Sequence, residues 1–167
     1  MKIRAFNKFF LIIIVLTCAQ TSFAQQGTEN KKQKEDAAIQ HLINSKRYVF
    51  VAQTVLPMSG RTINLTTDYD VRVSGDTVVS DLPYFGRAFV APIDPSEGGI
   101  HFTSTNFNYN IKERKKGGWD IAILPKDTKD VRQLFLSVTE SGYGTLQVIS
   151  NNRQQISYNG YIKEGRV

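Results

Sequence analysis

Apolar positions along the chain recur first at helical and then at strand spacing. Ile39, Leu42 and Ile43 fall at i, i+3 and i+4, and Ala37 and Ala38 favour helix. This predicts about three turns from Glu35 to near Ser45, with one narrow stripe docked on a sheet. After Lys46-Arg47 the period becomes two. Tyr48 to Leu56 is β-branched and aromatic, and Pro57-Met58-Ser59-Gly60 is turn chemistry. Ile63, Leu65, Thr67, Tyr69, Val71 and Val73 then alternate with Asn64, Thr66, Asp68, Asp70 and Arg72, one long strand with a buried and a wet face. Ser74 to Thr77 reads as a tight hairpin, and Thr77 to Ser80 as its return strand.

A central loop follows, Leu82-Pro83-Tyr84-Phe85-Gly86-Arg87-Ala88-Phe89, then a strand over Phe89 to Ile93 and a turn over Asp94 to Gly99. Ile100 to Ile111 is β-rich, but Phe102 has the opposite parity to Phe107, Tyr109 and Ile111. A bulge or a short turn near Ser104 to Asn106 would reconcile them. Lys115 to Gly118 marks a hairpin tip. Trp119, Ile121 and Ile123 alternate after it, then Leu134, Leu136 and Val138, then Leu146 and Val148, then Ile156, Tyr158 and Ile162. The chain is therefore mainly β: an antiparallel meander of about nine or ten strands forming a barrel or sandwich, with one N-terminal helix. No segment reads as a crossover helix, which disfavours a parallel sheet.

The first residues change this picture. Lys2, Arg4 and Lys8 precede the apolar run Phe9 to Leu16, and Ser22-Phe23-Ala24 follows with small residues at the two positions a signal peptidase reads. Residues 1–24 are expected to be a signal peptide, residues 25–34 a flexible polar leader and residues 35–167 a single β-rich domain. The expected location is export to the periplasm or cell envelope. Cys18 offers a rival, lipoprotein processing, although Val15-Leu16-Thr17 suits it poorly; membrane association is expected only if Cys18 is lipidated.

Charge and cysteine content follow from that cleavage. The precursor carries +6, but three of its 21 basic residues lie in the signal, leaving 18 against 15 acids. The remaining +3 gives no basis for a nucleic-acid partner. Cys18 is the only cysteine, so the processed domain would have no disulfide, thiol nucleophile or thiolate metal site.

Four runs carry a family resemblance: Leu82-Pro83-Tyr84-Phe85-Gly86-Arg87, Gly98-Gly99-Ile100-His101-Phe102, Lys116-Gly117-Gly118-Trp119 and Ile156-Ser157-Tyr158-Asn159-Gly160. Together they resemble a Bacteroidetes family of secreted proteins known as domain of unknown function 4251. The resemblance covers the chain beyond about Lys34 and rests chiefly on the first run. It implies an exported single-domain protein, with no activity or catalytic residues to carry over.

No combination of residues names a reaction. There is no Gly-x-Ser-x-Gly elbow, and only His101 could supply an imidazole base in the β region; His41 lies on the polar part of the helix. Asp68, Asp70 and Asp76 have the spacing of an ordinary wet strand face rather than of a calcium site. No cofactor or metal is expected. Lys112, Arg114, Lys115 and Lys116 read as a solvated hairpin tip, with contact to polyanions as the functional alternative.

The central loop is the best candidate site, with Tyr84, Phe85 and Arg87 as ligand-binding residues and His101 beside them. Aromatic faces and an Arg fork suit a ring, a carboxylate or a sugar. The structural reading, which we take first, is a corner plug: Phe85 and Phe89 fill a barrel end, Gly86 permits an unusual backbone angle, Arg87 pairs with an acid such as Asp81, and Tyr84 reaches solvent. The functional expectation is an exported, non-catalytic β domain binding a small molecule or envelope component. The alternatives are a periplasmic hydrolase using His101 and a structural component of a surface assembly.

Overall fold

A computed structural model describes residues 34–89 and 98–165. Expectations for the signal peptide, Cys18, the leader up to residue 33 and the strand from residue 90 fall outside these residues. Two compact units are distinguished, Met1–Ala37 and Ala38–Val167. The described part of the first is the opening turn of a helix, α1, that spans residues 34–45.

The second unit contains nine strands: β1 (Arg47–Pro57), β2 (Ile63–Ser74), β3 (Thr77–Leu82), β4 (Ile100–Ser104), β5 (Phe107–Glu113), β6 (Trp119–Pro125), β7 (Val131–Val138), β8 (Tyr143–Ser150) and β9 (Ile156–Glu164). All are antiparallel, in the order β4-β3-β2-β1-β9-β8-β7-β6-β5. Each strand pairs with its chain neighbour except at one place. The outermost strands, β4 and β5, are themselves consecutive, joined by Thr105 and Asn106. The meander thus curls back on itself as a nearly closed barrel, held by the β1–β9 pairing and with its seam between β4 and β5.

The parity break in Ile100–Ile111 is a turn rather than a bulge. The Asp127 carboxylate, in the loop between β6 and β7, accepts from the Ser104 hydroxyl and from the backbone N–H groups of Thr105 and Asn106. Three donors of the turn are thereby satisfied by one side chain, which fixes the turn beside β6. These hydrogen bonds, that to Ser104 first, hold the Asp127 carboxyl below its ordinary value.

Alternation decides what lies inside. Trp119, Ile121 and Ile123 of β6, Leu134, Leu136 and Val138 of β7, and Leu146 and Val148 of β8 are all buried. At one barrel end α1 places Ile43 in this core, with Ile39 and Leu42 packed against it. The Tyr109 hydroxyl donates to the Ile43 carbonyl at 3.2 Å and lies 3.1 Å from the Tyr48 hydroxyl. This relay ties the end of α1 to β1 and β5. Burial pushes the Tyr109 phenol up to about 12 and the Tyr48 phenol well above its usual value.

Candidate functional site

The central loop lies at the other barrel end, and its aromatics are arranged the opposite way from the plug expectation. Leu82 is fully buried, whereas Phe85 is 45% exposed and Phe89 65% exposed. Tyr84 is the residue that turns in. Its hydroxyl faces two carbonyls, that of Arg87 at 2.9 Å and that of Gln154 at 3.0 Å. The reason is hydrogen bonding. A phenol can bridge the loop to the β8–β9 turn, and a phenylalanine ring cannot.

The backbone reinforces the bridge. Gln154 N–H donates to the Arg87 carbonyl, and Phe89 N–H to the Asn152 carbonyl. The Tyr158 hydroxyl, rising from the core, donates to the Pro83 carbonyl at 2.6 Å. Gly86 does not adopt the left-handed backbone angle expected of it. Its contribution is space, since a Cβ there would collide with the Tyr84 phenol. Arg153 completes the clamp. It pairs with Asp130 at 3.0 Å, donates to the carbonyls of Gly98 and Gly99, and sits over the Tyr84 ring.

Of the four residues singled out, Tyr84 is therefore committed to holding the loop, while Phe85 and Arg87 are exposed. Asp81, the expected partner of Arg87, is bonded instead to His101: Nδ1 and Oδ1 are 2.8 Å apart, across directly paired positions of β3 and β4. Both side chains are about half exposed, and the His101 Nε2 lies against Gly99, where a Cβ would meet it. Among the described residues, no hydroxyl is hydrogen-bonded to His101. The strand pairing thus brings an acid to the imidazole but no nucleophile.

A concavity lies elsewhere, on a strand pair that alternation alone describes as regular. Ala52 of β1 faces Tyr69 of β2, yet Thr54 faces Asn64. One residue of β1, Gln53, thus lies opposite four of β2, Leu65 to Asp68, which arch away from the ladder. Gln53 is also the extra residue against β9, where Ala52 faces Gly160 and Thr54 faces Asn159. Gly160 is required there, because a Cβ would run into the Val51 carbonyl.

The arch and the bulge enclose a solvent-open cavity of about 480 Å³. Its floor is Val51 and Ala52, and its walls are Gln53 and Thr54, the Asn64–Asp68 arch and Tyr161. Beyond Tyr161, Tyr143 is 61% exposed and meets it edge to face, with ring centroids 6.3 Å apart. Sequence reasoning missed this site, although β1 contains a trace of it. Its residues in the main core cluster follow at every second position from Tyr48 to Ala52, and the next is Val55.

Comparison with known proteins gives the same architecture a family. The model of the domain of unknown function (DUF4251) matches residues 30–162. The chain belongs to the DUF4251 family. A crystal structure of a DUF4251 family protein from Bacteroides eggerthii DSM 20697, at 1.95 Å resolution, is similar with a TM-score of 0.57 and 16% identity. The similarity covers 78% of this chain and 87% of that one, and it shows the shared fold. No curated protein matches the chain.

In this DUF4251 domain the Leu82–Arg87 run that carries the resemblance forms the clamp at the barrel end, so its specificity of sequence has a structural reason. Among the described residues, no three His, Cys, Asp or Glu side chains come together as a metal site. Asp70 is paired with Arg72 at 2.9 Å, and Asp68 stands apart on the arch. At the basic hairpin, Arg114 turns back to the Val138 carbonyl and approaches Asp120, leaving Lys112, Lys115 and Lys116 exposed.

Proposed function

We propose that this domain is an exported, non-catalytic binding protein of the cell envelope, and that its ligand occupies the cavity between the β1 bulge and the β2 arch. The observation that carries the reading is the register break itself. Four residues are withdrawn from ladder pairing to make a concave surface of mixed polar and apolar character on an otherwise regular strand pair. Bulges that re-aim side chains are a recurrent way of building sites on sheets. The cavity falls within the size range of small-molecule sites, roughly 300–1,000 Å³. Its base is rigid barrel backbone, which lowers the ordering cost of binding. Export is supported by the three-part pattern of residues 1–24.

The Asp81–His101 hydrogen bond favours a second reading, a hydrolase in which the acid orients the imidazole. Among the described residues it supplies two parts of a relay on an exposed sheet face, with no hydroxyl hydrogen-bonded to the imidazole.

Native mass spectrometry of the purified domain, beside a Thr54→Trp variant that fills the cavity, tests the proposal. A retained small molecule present in the wild type and lost from the variant is expected. Equal retention by both, or no retention together with no thermal stabilisation by a metabolite library, would contradict it.

A further inference from the structure

We propose that the ligand of this cavity is a neutral saccharide, seated against the Tyr161 ring and hydrogen-bonded by the side chains of the Asn64–Asp68 arch. The inference rests on the cavity being a binding site and narrows that site to one ligand class.

The lining chemistry selects the class by elimination. Among the described residues that line it there is no Lys, Arg or His, and Asp68 is the one carboxylic acid. Phosphates, nucleotides and carboxylates would meet a carboxylate and no cation, the reverse of what anion recognition uses. The apolar part of the wall is short and open to solvent, confined to Val51, Ala52 and Leu65 beside Tyr161. A lipid chain would leave most of its surface in water there, so the hydrophobic gain would be slight.

What remains is a set of side chains that both give and accept hydrogen bonds. Gln53 and Asn64 each offer an amide, while Thr54, Thr66 and Thr67 offer hydroxyls. Sugar hydroxyls likewise donate and accept, and an ionised Asp68 can accept from two of them at once. Tyr161 supplies the complementary apolar surface. A pyranose has one face of C–H groups, which packs on an aromatic ring while its equatorial hydroxyls point sideways to polar walls. Tyr143, edge to face with Tyr161 and largely exposed, extends that surface along the outside of the barrel. The cavity therefore has room for one or two sugar units, with a second ring ready for a further one.

Strand pairing fixes these parts relative to one another. Tyr161 faces Val51 across the β1–β9 ladder and Tyr143 across the β8–β9 ladder. The platform and the cavity floor thus share a hydrogen-bonded frame, and the arch brings its polar groups to that frame. An ammonium ligand would use Asp68 and a tyrosine face but would leave most of the amide and hydroxyl groups without a role.

Calorimetric titration of the whole domain tests the assignment with two sets of probes. One set is neutral oligosaccharides: maltotriose, cellotriose, mannotriose and the N-acetylglucosamine trimer. The other is amines: choline, spermidine and a Gly-Lys dipeptide. At least one oligosaccharide is expected to bind in the micromolar-to-millimolar range. Tyr161→Ala should weaken it roughly tenfold or more and Asp68→Asn severalfold, with melting curves close to wild type. Asp68 is exposed on the arch, so its variant keeps the test informative if Tyr161→Ala folds poorly. Saccharide binding unchanged in both variants would overturn the assignment. Amine binding without saccharide binding would overturn the sugar assignment and leave the cavity's binding role standing. Silence with both sets, together with no ligand by mass spectrometry, would overturn both.

Discussion

The guanidinium of Arg153 lies over the ring of Tyr84, 5.2 Å from its centroid. The two residues come from different loops and hold the barrel end together, Tyr84 through its hydroxyl and Arg153 through its guanidinium. Burial raises the Tyr84 phenol above its ordinary value, so it remains a neutral donor at physiological pH. Tyr84→Phe should cost about 1 kcal/mol, the net worth of one hydrogen bond, read as a drop of a few degrees in the melting temperature. Phe85→Ala should stay within about 0.5 kcal/mol, as for other exposed positions. Thermal denaturation of the two variants in parallel checks the order. A larger loss for Phe85→Ala would restore the plug.

Asp127 gives a pH dependence of known sign. Its folded-state value is held below the ordinary 3.8 by the Ser104 hydroxyl and the Thr105 and Asn106 amides. A depressed carboxyl contributes stability that is fully present above 3.8 and is lost as pH falls through the lower folded value. Asp127→Ala should therefore melt below wild type at pH 7, with the difference shrinking as the pH is taken below 3.8. A gap that stays constant down to pH 2 would show that the hydrogen bonds are not what fixes this turn.

Gly160→Ala probes the bulge. Its Cβ would meet the Val51 carbonyl, which belongs to the ladder and cannot swing aside as a flexible side chain could. Forcing β1 and β9 apart should cost about 1–3 kcal/mol, the usual range for overpacking. Urea denaturation would show this as a lower midpoint with the slope preserved. A midpoint equal to that of the wild type would mean that the close approach of the two backbones is dispensable.

Much of this barrel was legible in the sequence because a half-buried strand writes its two faces into alternate residues. Trp119-Asp120-Ile121-Ala122-Ile123 and Leu134-Phe135-Leu136-Ser137-Val138 say which side is inside, and the structure buries the residues so marked. The break at Ser104–Asn106 was visible as a slip of parity. Whether it was a bulge or a turn depended on Asp127, about twenty residues away.

The candidate site was less legible, for two physical reasons. The choice between Tyr84 and Phe85 turned on the Gln154 carbonyl, seventy positions along the chain, and no local pattern encodes that partner. The arch of β2 was hidden by its own length. Four residues is an even number, so Ile63 and Tyr69 keep the same parity and the alternation runs through Leu65–Asp68 as if the strand were straight. Only the odd step in β1, from Ala52 to Val55, records that the ladder was broken.

We place the proposed binding surface at the β1–β2 register break rather than at the Tyr84–Arg87 loop. The most direct measurement is amide chemical-shift mapping of the ¹⁵N-labelled domain during titration with the N-acetylglucosamine trimer and maltotriose. Shifts concentrated at Gln53, Thr54, the 64–68 arch and Tyr161 are predicted, with Phe85, Arg87 and His101 unmoved. Shifts confined to Phe85, Arg87 and His101, with the arch silent, would contradict the account.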